Sequence, residues 1–275
     1  MLKDIVAIVD NDEQARDFIL NASLFAHAQE AHLAITILSE RFWDAALLPP
    51  YEAYAAVFDE IEAQDGRRAA GVLRILDEAA IPAEVRSVAD SPAYLSGATR
   101  VEARYADLLL SAPPSSFANP KLGRRCIEGA LMSSAGPILL LPDESRLERI
   151  DHAVLGWDAS GEARRAARDL LTLLEPGARI DVITVDAQPS GDGHGAHPGT
   201  DIARHLARHG FTVEVHQLSS GGRSISTSLE TFALETGANI LAIGAFAHSR
   251  VRDIFLGGVT RSLLDNVRMP LLLSR

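Results

Sequence analysis

The 275-residue chain has a single cysteine, Cys126, so neither a disulfide framework nor a cysteine-based zinc cluster can be built from it. Cys126 is expected to fill a core position on a helix rather than act as a nucleophile. No apolar run approaches the roughly 20 residues of a membrane span. Basic residues are outnumbered, 26 Lys and Arg against 37 Asp and Glu, and the net charge is −11. That balance argues against a protein built to coat nucleic acid or an anionic membrane. There is no P-loop lysine motif and no Ser/His/Asp order with a nucleophile elbow. No residue is therefore assigned a catalytic role. Residues 1–10, MLKDIVAIVD, alternate as a strand does and do not form a secretory h-region. A cytoplasmic location is expected.

What is present is ordinary globular composition, 47% hydrophobic and 23% charged, arranged as strands alternating with helices. In the first half the apolar runs Ile5–Val9, Leu33–Leu38, Val85–Val88, Leu108–Leu110 and Pro137–Leu141 read as strands. Asp12 is placed to cap a helix carrying Ala15, Phe18, Ile19, Ala22 and Ala26. A segment with Phe42, Trp43, Pro49, Pro50 and Tyr51 precedes a helical run through Val72 and Leu76. Ser91-Pro92 reads as a helix entry, with proline at the first helical position. Strands and helices in this alternation imply right-handed crossovers and a mostly parallel, covered sheet.

The second half repeats the plan. Ala153–Trp157 ends at Asp158 as Ile5–Val9 ends at Asp10. A helix is expected over Arg164–Leu174, strands over Ile180–Val185, Phe211–Val215, Ile240–Ile243 and Pro270–Leu273, and a Gly/Pro/His-rich loop over Ala187–Thr200. Ile225–Phe232 reads as a helix stopped by Gly237. A shift of 133 positions places Ser111 on Gly244, Leu131 on Leu264 and Pro137 on Pro270 without a gap, whereas Asp10 and Asp158 are 148 apart. The first half is thus about 15 residues longer before Ser111, most simply in the aromatic and proline-rich segment. Two copies of one α/β domain follow, 1–146 and 147–275, with a linker near Asp143–Glu148.

The stretch Asn239–Ser262 carries the functional signal. A buried strand ends at Gly244, a loop follows, and Gly257-Gly258 stand before the helical pattern of Val259, Leu263 and Leu264. Glycines let backbone approach closely and helix-initial N–H groups attract anions, so this is a candidate phosphate cradle. A helix C-cap followed by a flexible connection fits the same spacing. Asp192, His194 and His197 can be drawn as a loop metal site, but their glycine-rich setting argues for a mobile loop, and no metal is assigned. Arg250 and Arg252 read equally as phosphate partners or as solvated surface.

The segments AVLGWDASGEARRAARDLL (153–171) and GAFAHSRVRDIFLGGVTRSLL (244–264), with the terminal MPLLLSR, resemble the universal stress proteins. The whole chain is similar to a tandem member of that family. The resemblance implies two open-sheet, doubly wound, five-stranded domains of the Rossmann-like adenine-nucleotide alpha hydrolase type. The family's nucleotide signature is Gly, two residues, Gly, nine residues, then Gly and Ser or Thr. Gly244 and Gly257 match it; Ala247 stands at the second glycine and Gly258 at the hydroxyl residue. The resemblance further implies ATP, ADP or AMP in the second half, with Mg2+ beside a triphosphate. Asp158 would face ribose and adenine, Val185 the base, and Gly244, Ala247 and His248 the sugar and phosphates. Gly257, Gly258 and Val259 would offer amides to the phosphate chain. For Asp158 by itself, a helix N-cap is the competing reading.

In the first half the signature positions are Ser111, Pro114, Arg124 and Arg125, and proline has no N–H to offer. This half is expected not to bind nucleotide in the family manner. The resemblance also implies an unidentified protein partner, pairing of the two domains through their last strands, which cross to the partner domain, and association of two chains. Three classes of function stand open, the first two a ligand-linked stress or signalling protein and a scaffold in which both sites are degenerate. An unrelated metabolic enzyme on an α/β fold is the third.

Overall fold

The computed structural model describes residues 2–41, 51–133, 136–190, 193–245 and 257–275. The first half contains β1 (Asp4–Val9), α1 (Arg16–Ala28), β2 (His32–Glu40), α2 (Tyr51–Ala79), β3 (Glu84–Asp90), α3 (Pro92–Glu102), β4 (Leu108–Ser111), α4 (Pro120–Met132) and β5 (Ile138–Leu140). The second contains β6 (His152–Gly156), α5 (Gly161–Leu170), β7 (Arg179–Val185), α6 (Thr200–Arg208), β8 (Thr212–Leu218), α7 (Ile225–Glu235), β9 (Ile240–Gly244), α8 (Gly258–Asp265) and β10 (Leu271–Ser274).

The ten strands among the described residues lie in one sheet, ordered β3-β2-β1-β4-β5-β10-β9-β6-β7-β8. The inner strands are near-continuous Val, Ile, Leu and Ala because helices cover both faces, leaving no solvent side on which polar residues would be favoured. The edge strands differ. β3 and β8 are partly exposed and carry Glu84, Arg86, Glu214 and His216, charges that discourage further edge pairing.

Every strand pair is parallel except β5 and β10, which meet antiparallel with Leu140 opposite Leu271 and Ile138 opposite Leu273. Neither strand leaves its own half: β5 stays beside β4 and β10 beside β9. The expectation that the last strands cross to the partner domain is therefore corrected; they join edge to edge, and backbone hydrogen bonding continues across the junction. Arg124 of α4 and Asp265 of α8 form an ion pair over it, and Arg275 Nη1 donates to the Met132 carbonyl at 2.6 Å. The segment read as a linker is docked: Leu147 and Ile150 are buried, and the Asp143 carbonyl accepts from Asn21 Nδ2 at 2.8 Å.

Several local readings change. Asp12 does not cap α1; the helix opens after Ala15, whose N–H donates to Asn11 Oδ1 at 2.9 Å. Asp12 instead abuts α2, where a Cβ on Gly71 would sit 2.7 Å from its carboxylate carbon. The helix expected over 164–174 runs from Gly161 to Leu170, because Ser160 Oγ accepts the Ala163 N–H at 3.0 Å and fixes an earlier start. α6 begins at Thr200, the last residue of the stretch read as a loop, and was not assigned from the sequence. Its apolar content is small, with Ile202 and Leu206 buried one turn apart among charged and His residues. Much of the extra length of the first half lies in α2, 29 residues against nine in α6. Phe42, Trp43, Pro49 and Pro50 lie outside the described residues. Cys126 is buried in α4, and burial, with the charges of Asp10 and Glu40 behind it, pushes its thiol up to about 12, which disfavours the thiolate.

Candidate functional site

In a half ordered β3-β2-β1-β4-β5, the chain first winds outward in one direction and then crosses back to wind in the other. The second half repeats this about β6 and β9, and the C-terminal ends of those two strands form the reversal point where open α/β sheets hold ligands. A cleft of about 380 Å³ opens there. Ile183, Ile243 and Leu229 make an apolar floor, with Trp157 and Asp158 at the end of β6. On one flank lie Val185, Asp186, Gln188 and His194; on the other Gly244, Gly257, Gly258, Val259 and Thr260. Six residues expected from the sequence, Asp158, Val185, Gly244, Gly257, Gly258 and Val259, thus surround one cleft. Ala247 and His248 lie outside the described residues, as do Arg250 and Arg252.

Asp158 Oδ1 accepts the Ser160 N–H at 3.0 Å, while Ser160 itself caps α5. The N-cap reading of Asp158 is therefore displaced by two residues: Asp158 precedes the cap and reaches the cleft wall. Between them Ala159 has φ +61, and across the cleft Asp186 has φ +50. Two non-glycine residues held in the left-handed region at strand ends mark loops shaped by more than local preference. Asp186 Oδ1 accepts the Ser220 N–H at 3.0 Å, and hydrogen bonds from Ser220 hold its carboxyl below the usual range. At the other flank α8 starts at Gly258, and no side chain among the described residues is hydrogen-bonded to its initial amides. Those N–H groups lie along the cleft, the arrangement that favours an anion.

The glycines separate by role. A Cβ on Gly244 would lie 2.6 Å from the Glu162 carbonyl carbon and 2.8 Å from Glu162 Cβ. This glycine lets the first turn of α5 sit directly on the end of β9, which is a packing requirement. A Cβ on Gly258 would meet no described atom within 4 Å, and this glycine lines the cleft. The two signature-region glycines are thus not equivalent, and sequence spacing could not distinguish them.

The corresponding place in the first half is occupied by the chain itself. Asp10 is buried, and its carboxylate accepts the Ala118 N–H at 3.1 Å and the Asn119 N–H at 3.0 Å. A 3-10 turn at Pro114–Ser116 and buried Phe117 deliver those amides. Asn119 then caps α4 and donates through Nδ2 to Glu40 at 2.6 Å. Arg124 is held by Glu128 and Asp265, whose hydrogen bonds and charges outweigh the burial opposing them and raise its pKa. Arg125 is exposed on α4.

Of the drawn loop-metal residues, Asp192 lies outside the described residues, His197 is exposed and His194 faces the cleft. A different polar cluster went unrecognised, at the opposite ends of the strands. Fully buried Asp181 hydrogen-bonds His152 Nε2 at 2.8 Å, Arg179 Nη2 at 3.0 Å and His216 Nε2 at 3.2 Å. Burial raises its pKa, but the three hydrogen bonds and the Arg179 charge prevail and the net shift is downward. Arg179 Nη2 also bridges to Glu214 at 3.0 Å, filling the space between the carboxylates as a counter-ion. The β8 spacing of Glu214 and His216, two apart on one sheet face, was the available signal.

No protein-family model and no curated protein matches the sequence. Solved structures do match in fold. A universal stress protein from Archaeoglobus fulgidus superposes with a TM-score of 0.68 at 16% identity, covering 99% of this chain and 98% of that one. A chain from Pseudomonas aeruginosa UCBPP-PA14, provisionally named a universal stress protein, gives 0.56 at 14%, covering 99% and 93%. A functionally unknown protein from Pseudomonas aeruginosa PAO1 gives 0.53 at 14%, covering 99% and 92%. The fold is that of the universal stress protein from Archaeoglobus fulgidus, an α/β arrangement with a large, mostly parallel sheet, matched over 99% of the chain. No described helix is long and apolar enough to cross a membrane.

Proposed function

We propose that this chain is a tandem universal stress protein, with domains 1–146 and 147–275, that takes part in stress response or signalling. It binds one adenine nucleotide, ATP or its relatives, in the second domain. Mg2+ accompanies a bound triphosphate. The observation that carries this reading is the cleft of the second half, with the starting amides of α8 along it. Asp158 borders a cleft at the β6/β9 reversal point, whereas Asp10 is consumed by the amides of Ala118 and Asn119. The apolar floor suits a planar base, the Asp158 carboxylate can accept from sugar hydroxyls, and the start of α8 offers amides to phosphate. Ligand binding acts by favouring one conformation of the cleft loops and so changing the surface shown to a protein partner, without turnover.

A scaffold without ligand is the second reading. It is favoured by Gly244, whose lack of a side chain is accounted for by α5 packing, and by Gly258, which lacks the hydroxyl expected at that position. Calorimetric titration with ATP and Mg2+, beside Asp158→Ala, separates the two. One saturable site per chain, lost or much weakened in the variant, supports the nucleotide reading. Two sites overturn the assignment of the first domain, and no binding at millimolar ATP by nucleotide-free protein favours the scaffold.

A further inference from the structure

The polar cluster at the strand ends away from the cleft has the residue types and spacing of a metal site. Asp181 and Glu214 are register partners on β7 and β8, two carboxylates side by side on one sheet face. Like charges so placed repel unless a cation lies between them. His216, two residues beyond Glu214, belongs to the same face of β8. Its Nε2 is 3.2 Å from Asp181 Oδ1 and 3.6 Å from Glu214 Oε2, and one ligand atom from each of the three lies within 4.8 Å of the others. A tetrahedral zinc with bonds of about 2.0–2.2 Å sets neighbouring ligand atoms roughly 3.3–3.6 Å apart. The two histidine spacings already fall close to that edge length.

The surroundings of the three residues fit the same reading. His152 Nε2 hydrogen-bonds Asp181 Oδ2 at 2.8 Å, which orients the carboxylate as supporting groups do around a metal and leaves Oδ1 beside His216. The His216 ring packs against Phe232 of α7, centroids 4.8 Å apart. Arg179 Nη2 is 3.0 Å from both Asp181 Oδ1 and Glu214 Oε2, so a cationic nitrogen marks the place between the carboxylates. The Arg179 side chain is 42% exposed and that of Glu214 55%. The guanidinium can therefore swing into water and uncover Oδ1 of the otherwise buried Asp181. A divalent ion there would offer two charges to two carboxylates and engage the imidazole as well.

We infer that Asp181, Glu214 and His216 form a site for a divalent transition metal of the zinc class, the ion entering by displacing the Arg179 guanidinium. A neutral imidazole carries its proton on either nitrogen, so moving it to Nδ1 frees Nε2 of His216 for the metal. Imidazole beside carboxylates suits zinc, whereas magnesium is served by oxygen ligands and water. Bound metal ties the edge strand β8 to β7. The site lies at the other ends of the strands from the cleft, so it stands independently of the nucleotide reading.

The test is calorimetric titration of the EDTA-treated full chain with Zn2+ at neutral pH, without nucleotide. The wild type is expected to show a saturable site that excess Mg2+ does not compete for. Glu214→Gln and His216→Gln should each weaken it by roughly tenfold or more. Arg179→Gln should tighten it several-fold, because the ion no longer has to break the two ion pairs of the guanidinium. Co2+ bound to the wild type should give the visible absorption of four-coordinate geometry, lost in His216→Gln. Folding of each variant is checked by circular dichroism, and the exposed position of Glu214 keeps Glu214→Gln informative if His216→Gln does not fold. The double variant His194→Ala with His197→Ala should bind as the wild type does. Equal affinity in wild type, Glu214→Gln and His216→Gln overturns the assignment and places the ion elsewhere. Zn2+ taken up by Arg179→Gln alone also overturns it, leaving Arg179 as the permanent counter-ion, and so does binding by neither.

Discussion

Replacing Gly244 with alanine tests whether this glycine serves the ligand or the fold. The new methyl would meet the backbone of Glu162 and Ala163 in the first turn of α5, with 2.6 Å to the Glu162 carbonyl carbon. No flexible side-chain end is available to swing aside. Either α5 lifts from the sheet or β9 shifts against β6 and β10, to which it is hydrogen-bonded along its length. Overpacking of this kind costs about 1–3 kcal/mol, and a rigid backbone neighbour puts the cost near the upper end. Gly→Ala also reduces the entropy of the unfolded chain, which offsets about 0.4–1 kcal/mol. A net loss of about 2 kcal/mol remains, a fall of roughly 3–4 °C in Tm for a chain of this size. The assay is thermal unfolding of nucleotide-free protein, followed by circular dichroism, with Gly258→Ala as the control. Gly258 has open space around it and should move Tm by no more than about 1 °C. An unchanged Tm for Gly244→Ala combined with weakened ATP binding would refute the packing argument and return Gly244 to the phosphate site.

Two further outcomes follow from the same geometry. Gly258→Ser has room for its side chain beside the first amides of α8 and restores a hydroxyl donor, so ATP affinity should rise several-fold with little change in stability, measured by calorimetry. Asp181 has its folded pKa below the unfolded value, so its contribution is fully present above an ordinary carboxylate pKa of about 4 and is lost as pH falls through the lower folded value. Asp181→Asn should lower stability at neutral pH by roughly 3 kcal/mol and flatten the acid limb of the stability profile, as followed by urea unfolding between pH 7 and pH 3. An unchanged acid limb would remove Asp181 from the account of acid sensitivity.

The alternation of strands and helices was legible because their periods are local properties of the chain. Ile5–Val9, Leu108–Leu110 and Ile240–Ile243 are uninterrupted apolar runs that only a strand covered on both faces accommodates well. α6 escaped because two buried residues, Ile202 and Leu206, carry its whole apolar face next to a glycine-rich loop. The Asp181 cluster escaped because its partners come from three strands brought together only by pairing.

From the sequence alone came the alternation of strands and helices, and the placement of Asp158 just beyond a strand, Val185 at the end of one and Gly257–Val259 at a helix start. Those follow from burial patterns within about ten residues, and a reader of the chain can apply them directly. Among the described residues, the tertiary structure opens a cleft beside Asp158 and closes backbone amides onto Asp10. Asp10 and Asp158 look alike in sequence, yet Asp10 is taken by amides 108 and 109 residues away, delivered by a proline-rich turn and buried Phe117. It also decided that Gly244 makes room for α5 and that His194 lines the same cleft as Asp158. In each case the deciding contact joins segments distant in sequence, and the residue type alone carries no record of the neighbour that folding brings to it.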